Sequence, residues 1–424
     1  MRCRAGGWWI VLVLPLVARG QDSNFRPYLI GGRAGGMGGA FTALSDDGSG
    51  GYYNPGGLAF TTAPSISLSV NVYGLVGGRI QDALGDGHDF NYQDLNVFPV
   101  ATAGISKLKE VDPRSGAAKH TLFISVFIPD GITNDDRDQL DLPGNAFFRR
   151  LSVQTLWLGG GYALRLGTVG LGFGAYGLLG SETNFFDLDV IDSSGTPFEI
   201  LTSRTDLSTV SFVASAGVRW DVDDHLKLGL SLFTPAVGWG SRDSFGRVAI
   251  SIAGRAGAAA QQVNGLHASP AVPLRVQAGA AWSSGPLTVS ADVVFLGPRH
   301  FVDNPEQTPQ ALQREVIRRM VVNPSLGVEY VFAKKFPVRA GFFTDFAASD
   351  PYKLDTYNTS HVDHYGLTFS VGLLTEHVKT DLGLTAWYGT GTDVIPQNLD
   401  FTVFKRTPAT EYAVFVSLAT AYEF

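Results

Sequence analysis

From 64 to 424 the chain runs in short stretches where apolar and polar residues alternate one by one. In 65–73, Ile66, Leu68, Val70 and Val72 share one face, and Ser65, Ser67, Ser69, Asn71 and Tyr73 share the other. Leu287, Val289, Ala291, Val293 and Phe295 alternate with Thr288, Ser290 and Asp292 in the same way. This period of two predicts β-strands with two chemically different faces. It places fourteen of them, at 65–77, 95–107, 120–129, 151–166, 168–181, 207–221, 225–238, 272–284, 286–297, 321–333, 336–346, 364–376, 378–391 and 411–424, with 246–254 left as a hairpin arm within a loop. The connections alternate in length. Short ones fall at Gly167, 222–224, Gly285, 334–335 and His377, and long ones at 78–94, 130–150, 182–206, 239–271, 298–320, 347–363 and 392–410, with 108–119 intermediate. An even strand count with short turns on one side and long loops on the other predicts an all-β, 14-stranded antiparallel transmembrane β-barrel, its short turns toward the periplasm.

The remaining composition fits that picture. The chain has 51 glycines, 28 Phe and 14 Tyr, which suit tight turns and aromatic belts. Residues 1–20 read as a signal peptide: Arg2 and Arg4 precede an apolar run at 8–17, and Ala18 and Gly20 are small residues at the expected cleavage site. That run is shorter than the roughly 20 residues a membrane-spanning helix needs. The formal charge is −7, or −10 once Arg2, Arg4 and Arg19 are removed, which argues against nucleic-acid binding. The one cysteine, Cys3, lies inside the signal, so the mature chain is expected to carry no disulfide or thiol chemistry.

One stretch breaks the pattern. Residues 31–58 are too rich in glycine for a regular strand or helix and close on Asn54, Pro55 and Gly56, a turn signal. The reading divides the chain into a signal at 1–20, an N-terminal plug at 21–64 and a barrel at 65–424. Gly36-Met37-Gly38-Gly39-Ala40-Phe41, then Asp46-Asp47, then Tyr53-Asn54-Pro55-Gly56-Gly57-Leu58 resembles the N-terminal region of the FadL/TodX family of outer-membrane transporters for hydrophobic compounds. Gly56 stands where that family usually has Ala. The segment is also similar to that of the related PorV-type barrels, which serve protein secretion. Hairpins around 218–232, 273–293 and 327–341 extend the resemblance over nearly the whole mature chain.

The resemblance implies passive uptake of hydrophobic compounds, such as long-chain fatty acids or aromatic hydrocarbons, through a barrel in the bacterial outer membrane gated by the plug. The alternative is a PorV-type partner in protein secretion or assembly. It points to Phe41, Asn54, Pro55 and Gly56 as ligand-binding or gating positions. It also points to Pro129 and Gly131 at the end of the third strand, where such transporters have a kink that opens the wall. The final strand ends in Phe424, which resembles the signal read by the barrel-assembly machinery. Outer-membrane lipid and a hydrophobic small molecule are the other expected partners. An apolar funnel near Phe147-Phe148 or Phe185-Phe186 would mark a transporter.

Inward parity makes Arg219, Arg275, Asp292, Arg339, Asp345 and Glu411 lumen-lining residues. Gly172-Phe173-Gly174-Ala175-Tyr176-Gly177 matches G-x-G-x-x-G, but no helix follows to meet a phosphate. Glycines on one face of a barrel strand instead leave room for the plug or a close neighbour. His361-Val362-Asp363-His364 is the only histidine cluster, and it lacks further metal ligands. The acidic stretch Asp82, Asp86, Asp89 and Asp94 fits no calcium loop. No serine sits in a nucleophile elbow. No catalytic residue, cofactor or metal is expected.

Overall fold

The computed structural model describes residues 23–25, 28–83, 87, 89–96, 100–108, 119–139, 146–191, 197–252, 258–266, 270, 272–303, 314–353, 360–396 and 404–424. The signal at 1–20 and Cys3 lie outside them. Short helical turns come first, α1 (Gly32–Gly36), α2 (Gly50–Tyr53) and a 3-10 turn at Pro55–Phe60. Nineteen strands follow: β1 (Ser65–Ile80), β2 (Phe90–Asn96), β3 (Val100–Lys107), β4 (His120–Gln139), β5 (Ala146–Leu166), β6 (Val169–Ile191), β7 (Pro197–Asp221), β8 (Leu226–Phe233), β9 (Val237–Ile252), β10 (Ala258–Leu266), β11 (Arg275–Ser284), β12 (Leu287–Leu296), β13 (Arg299–Asp303), β14 (Arg314–Arg318), β15 (Val321–Phe332), β16 (Phe336–Asp345), β17 (His361–Leu374), β18 (Val378–Pro396) and β19 (Phe404–Glu423).

These strands make a closed barrel of fourteen antiparallel staves. Three staves are each built from two strands in line. β2 and β3 both pair with β1. β8 and β9 both pair with β7, and β11 pairs with β8 as β10 does with β9. β13 and β14 form a separate ribbon, so β12 pairs directly with β15. The first stave closes on the last from Ser65↔Glu423 to Ile80↔Ala409, which leaves no unpaired edge facing lipid.

The two faces of the wall settle what the alternation alone left open. Leu326, Phe369 and Leu367 point outward and are 54%, 49% and 66% exposed, while Ser325, Glu329 and Ser370 beside them are buried. Tyr330, Tyr365, Tyr388, Tyr412 and Tyr422 add an outward aromatic set. A soluble barrel has the reverse arrangement; an apolar exterior with a polar interior is that of a barrel in lipid.

The staves differ in reach from the expected ones. β5, β6 and β7 run 21, 23 and 25 residues, whereas a membrane crossing needs only about 9–11. Most of the stretches read as long loops at 130–150, 182–206, 239–271 and 392–410 are therefore hairpin extensions that continue the ladder beyond the apolar band. Residues 133–139 are polar on both faces, so the period-two signal fades there while the backbone pairing goes on.

A docked hatch and its candidate gating site

The glycine-rich segment sits inside the barrel. Met37, Phe41, Leu44, Leu58 and Ala59 are fully buried and share an apolar cluster with the wall residues Phe127, Trp157, Tyr176, Leu178 and Phe233. Phe41 packs edge-on against Tyr53 at 5.8 Å, and Tyr52 against Phe127 at 5.7 Å. Asn54 caps the 3-10 turn by accepting the Gly56 N–H at 3.0 Å, with Pro55 at its first position.

The glycines are required by close approach. Gly38 has φ +64°, and a Cβ there would come 2.7 Å from the Phe342 carbonyl oxygen. A Cβ on Gly56 would lie 2.6 Å from the Gly217 carbonyl oxygen, and one on Gly172 would lie 2.2 Å from the Pro55 carbonyl carbon. The G-x-G-x-x-G run thus lies on β6, and its first glycine makes room for the hatch.

Buried polar groups fasten the segment to the wall. Asp292 accepts the Phe41 and Thr42 N–H groups at 2.9 and 2.8 Å. The Asn54 amide donates to the Thr42 carbonyl at 2.8 Å and to the Val218 carbonyl of β7 at 2.9 Å. Arg275 donates to the Tyr52 carbonyl at 2.7 Å and lies over the rings of Phe233 and Tyr52 at 3.8 and 4.3 Å. Each charged group so placed offsets its desolvation with a partner, as burial demands.

A chain of ion pairs crosses the lumen through the hatch. Arg219 of β7 contacts Asp221 at 2.9 Å and Asp46 at 3.3 Å. Arg33 bridges Asp46 at 2.8 Å and Glu329 of β15 at 2.7 Å. Arg339 of β16 then joins Glu329 at 2.6 Å to Asp381 of β18 at 2.5 Å. Arg33 is partly buried, but its guanidinium is held firmly protonated: burial opposes the charge and Glu329 and Asp46 outweigh it. Beside this chain a cavity of about 330 Å³ lies between the hatch and the wall, lined by Ile30, Asp47, Leu68, Ala103, Glu329 and Asp381 among others.

The remaining sequence candidates take these positions. Asp345 is buried and accepts the Phe25 N–H at 3.2 Å. Glu411 faces inward against His364. Pro129 does not end its strand. β4 continues to Gln139 with a register shift between Phe127 and Asp130, and Gly131 resumes pairing opposite Gln154. Proline lacks a ladder donor, and here the strand bulges around it and runs on. His361 and His364 lie on opposite faces of β17 and contact Ser349 and Glu411 separately. Among the described residues no group of three or more potential metal ligands converges. Asp86 lies outside the described residues, as do the side chains of Phe147, Phe148 and Phe186. Sequence reasoning missed Arg33, Glu329 and Asp381 as site residues. Inward parity would have found Glu329, between the outward Val328 and Tyr330; the hatch residue Arg33 had no periodicity to mark it.

No family model and no curated protein matches the sequence. Solved structures do match. A FadL homologue from Pseudomonas aeruginosa superimposes with a TM-score of 0.70 at 13% identity, covering 95% of this chain and 100% of that one. The toluene transporter TodX from P. putida gives 0.66 at 12% identity, with coverage of 93% and 99%. The toluene transporter TbuX from Ralstonia pickettii gives 0.59 at 14%, with coverage of 93% and 98%. An inside-out barrel of fourteen staves with an N-terminal segment docked in its lumen, superimposable over nearly its whole length on these proteins, has the FadL/TodX-type fold.

Proposed function

We propose that this chain is an outer-membrane channel for the passive uptake of hydrophobic compounds, and that residues 21–64 are its gate. The observation that carries the reading is the filled lumen. The outward wall is apolar, and the space a porin leaves open to water is occupied by the hatch and its aromatic cluster. A polar, water-filled lumen rejects an apolar solute. A lumen divided into apolar pockets with a few polar groups accepts one and orients it. The fold neighbours, which include toluene transporters, support the same reading, and it calls for no catalytic step. Phe41 and the Asn54–Gly56 turn are among the parts of the gate that meet the wall, and the bulge at Pro129 is the place where a ligand leaves through it.

Asn54 joins the two halves of the hatch to β7, so replacing Asn54 and Pro55 together will impair uptake of a labelled fatty acid or toluene by cells, while the barrel still assembles. Normal uptake by a folded double variant contradicts the gate. Recovery of a stoichiometric secreted protein with the purified barrel, in place of an apolar molecule, would instead support a role in secretion.

A further inference from the structure

The short-turn end of the barrel repeats one arrangement on its outer face. At the turn before β8, the His225 carbonyl accepts the Ser283 N–H of β11 at 2.8 Å, and His225 Nδ1 lies 2.8 Å from the Ser283 carbonyl oxygen. At the turn before β18, the His377 carbonyl accepts the Glu423 N–H of β19 at 2.7 Å, and His377 Nδ1 lies 3.1 Å from the Glu423 carbonyl oxygen. A carbonyl oxygen only accepts, so Nδ1 carries a proton in both. Each side chain thus supplies one more donor to the end of a neighbouring strand. Each ring also lies nearly parallel to an outward aromatic of that strand. His225 meets Trp282 with centroids 6.3 Å and planes 29° apart, and His377 meets Tyr422 at 6.0 Å and 27°. Trp282 and Tyr422 are 46% and 47% exposed, and both histidines are exposed as well.

The height of these pairs follows from the outer wall. Tyr365, Tyr388 and Tyr412 face one another across β17, β18 and β19 and form an outward row toward the long-loop end. From Tyr412 to Tyr422, β19 climbs about 25 Å at ~3.4 Å per residue and ~40° of tilt, which is the height of an apolar band. Tyr422 therefore sits at the lower edge of that band, at the level of lipid head groups. His377 lies beside it, and His225 lies beside the matching Trp282 near the end of β11. Because Nδ1 is held by the wall, Nε2 is the ring atom left to meet a partner. Among the described residues, neither Nε2 has a hydrogen-bond partner. The nearby acids are engaged elsewhere. Asp223 accepts the His225 and Leu226 backbone N–H groups at 2.7 and 2.8 Å, and the Glu423 carboxylate is paired with Lys379 at 2.5 Å. Lys334 and Lys335, exposed at the turn between β15 and β16, add positive charge to the same rim.

We propose that His225 and His377 form a girdle that binds the phosphates of phospholipids in the periplasmic leaflet. In its protonated form each imidazole donates from Nε2 to a phosphate oxygen while its face rests on the aromatic ring. The acyl chains then lie along the apolar wall above. The contact fixes the height of the barrel in the membrane, and it does not depend on what the barrel carries.

The test uses the full-length barrel with 15N-labelled histidine in nanodiscs at about pH 5.5, where an ordinary histidine is charged. One set of discs is made of phosphatidylglycerol, and the other of digalactosyl diacylglycerol with the same acyl chains and no phosphate. His225→Phe and His377→Phe, which keep a ring in place, assign the two Nε2 signals. In the unaltered protein both signals are expected to show through-space coupling to phosphorus in the phosphatidylglycerol discs and to shift in the galactolipid discs. The double variant is expected to retain severalfold less phosphatidylglycerol in native mass spectrometry, with galactolipid retention unchanged. Histidines that only cap the strand ends would give the same signals in both discs and no coupling to phosphorus, which would overturn the proposal. If inorganic phosphate added to the galactolipid discs restores the signals fully, the site takes free phosphate and the assignment to a lipid is wrong.

Discussion

Asp46 and Asp47 are neighbours in sequence, yet the hatch shifts their carboxyls in opposite directions. Burial pushes Asp46 up, but Arg33 and then Arg219 outweigh it and hold its carboxyl below the ordinary 3.8. Burial also pushes Asp47 up, and there the Ser49 hydrogen bonds only partly offset it, so it stays above 3.8. The signs follow from linkage. Asp46, with its folded pKa depressed, stabilises docking fully above its unfolded value, and the contribution is lost as pH falls through the depressed one. Asp47, with its folded pKa raised, favours the docked hatch when protonated and opposes it once ionised. At neutral pH Asp46→Asn is therefore expected to speed protease cleavage of the hatch in the folded barrel severalfold, while Asp47→Asn leaves it unchanged or slows it. Equal acceleration by both would contradict this assignment. The doublet was visible in the sequence as a motif. The difference between its members was not, because it depends on an arginine 13 positions earlier and another on β7 that only the fold brings together.

Among the elements, the sequence was most legible where one face meets lipid and the other meets the hatch. There the alternation is unambiguous, and the short turns at Gly167, Gly285 and Lys334 fall where expected, with Gly167 and Gly285 at positive φ. It was least legible where both faces are wet. Ser181-Glu182-Thr183 on β6 and Thr205-Asp206 on β7 are paired strand, but their side chains carry no contrast from which a strand can be read. Similarly, Pro129 reads as a strand end because proline has no ladder donor; a bulge lets the strand pass it. The glycine segment was legible as close packing, and the structure names the contacts. Gly56, the departure from the family's usual Ala, is accommodated because the Gly217 carbonyl of β7 stands where a methyl group would go. Gly56→Ala is expected to overpack this seam, at a cost of about 1–3 kcal/mol, lowering the temperature at which the hatch becomes protease-sensitive while the wall, which owes nothing to this contact, melts as before. An unchanged hatch transition would show that the seam is looser than these distances imply.

At the scale of the molecule, a closed apolar wall and a docked interior divide the work. The staves pair with one another all the way round, closing at the β1–β19 seam from Ser65↔Glu423 to Ile80↔Ala409, so the ladder of the wall does not depend on the hatch. The hatch is held by side chains and carbonyls that can let go one at a time: Asp292, Asn54, Arg275 and the ion pairs of Arg33. The proposed gate needs this separation of a paired wall from an interior held by side-chain contacts, and the separation allows the proposal to be tested by cross-linking the hatch to the wall. The chain's one cysteine is Cys3, within the proposed signal, so an introduced pair has at most that one competitor. A Cβ on Gly48 would lie 3.1 Å from the Ser67 Cβ on β1, so a shift of a few tenths of an ångström brings the pair to the roughly 3.5–4.5 Å of a disulfide. The most direct measurement is uptake of a labelled hydrophobic compound into proteoliposomes containing the Gly48→Cys, Ser67→Cys barrel, oxidised and then reduced. Uptake that stops when the hatch is cross-linked to the wall and returns on reduction is the predicted result; equal uptake by the fully cross-linked and reduced forms would contradict a mobile hatch as the gate.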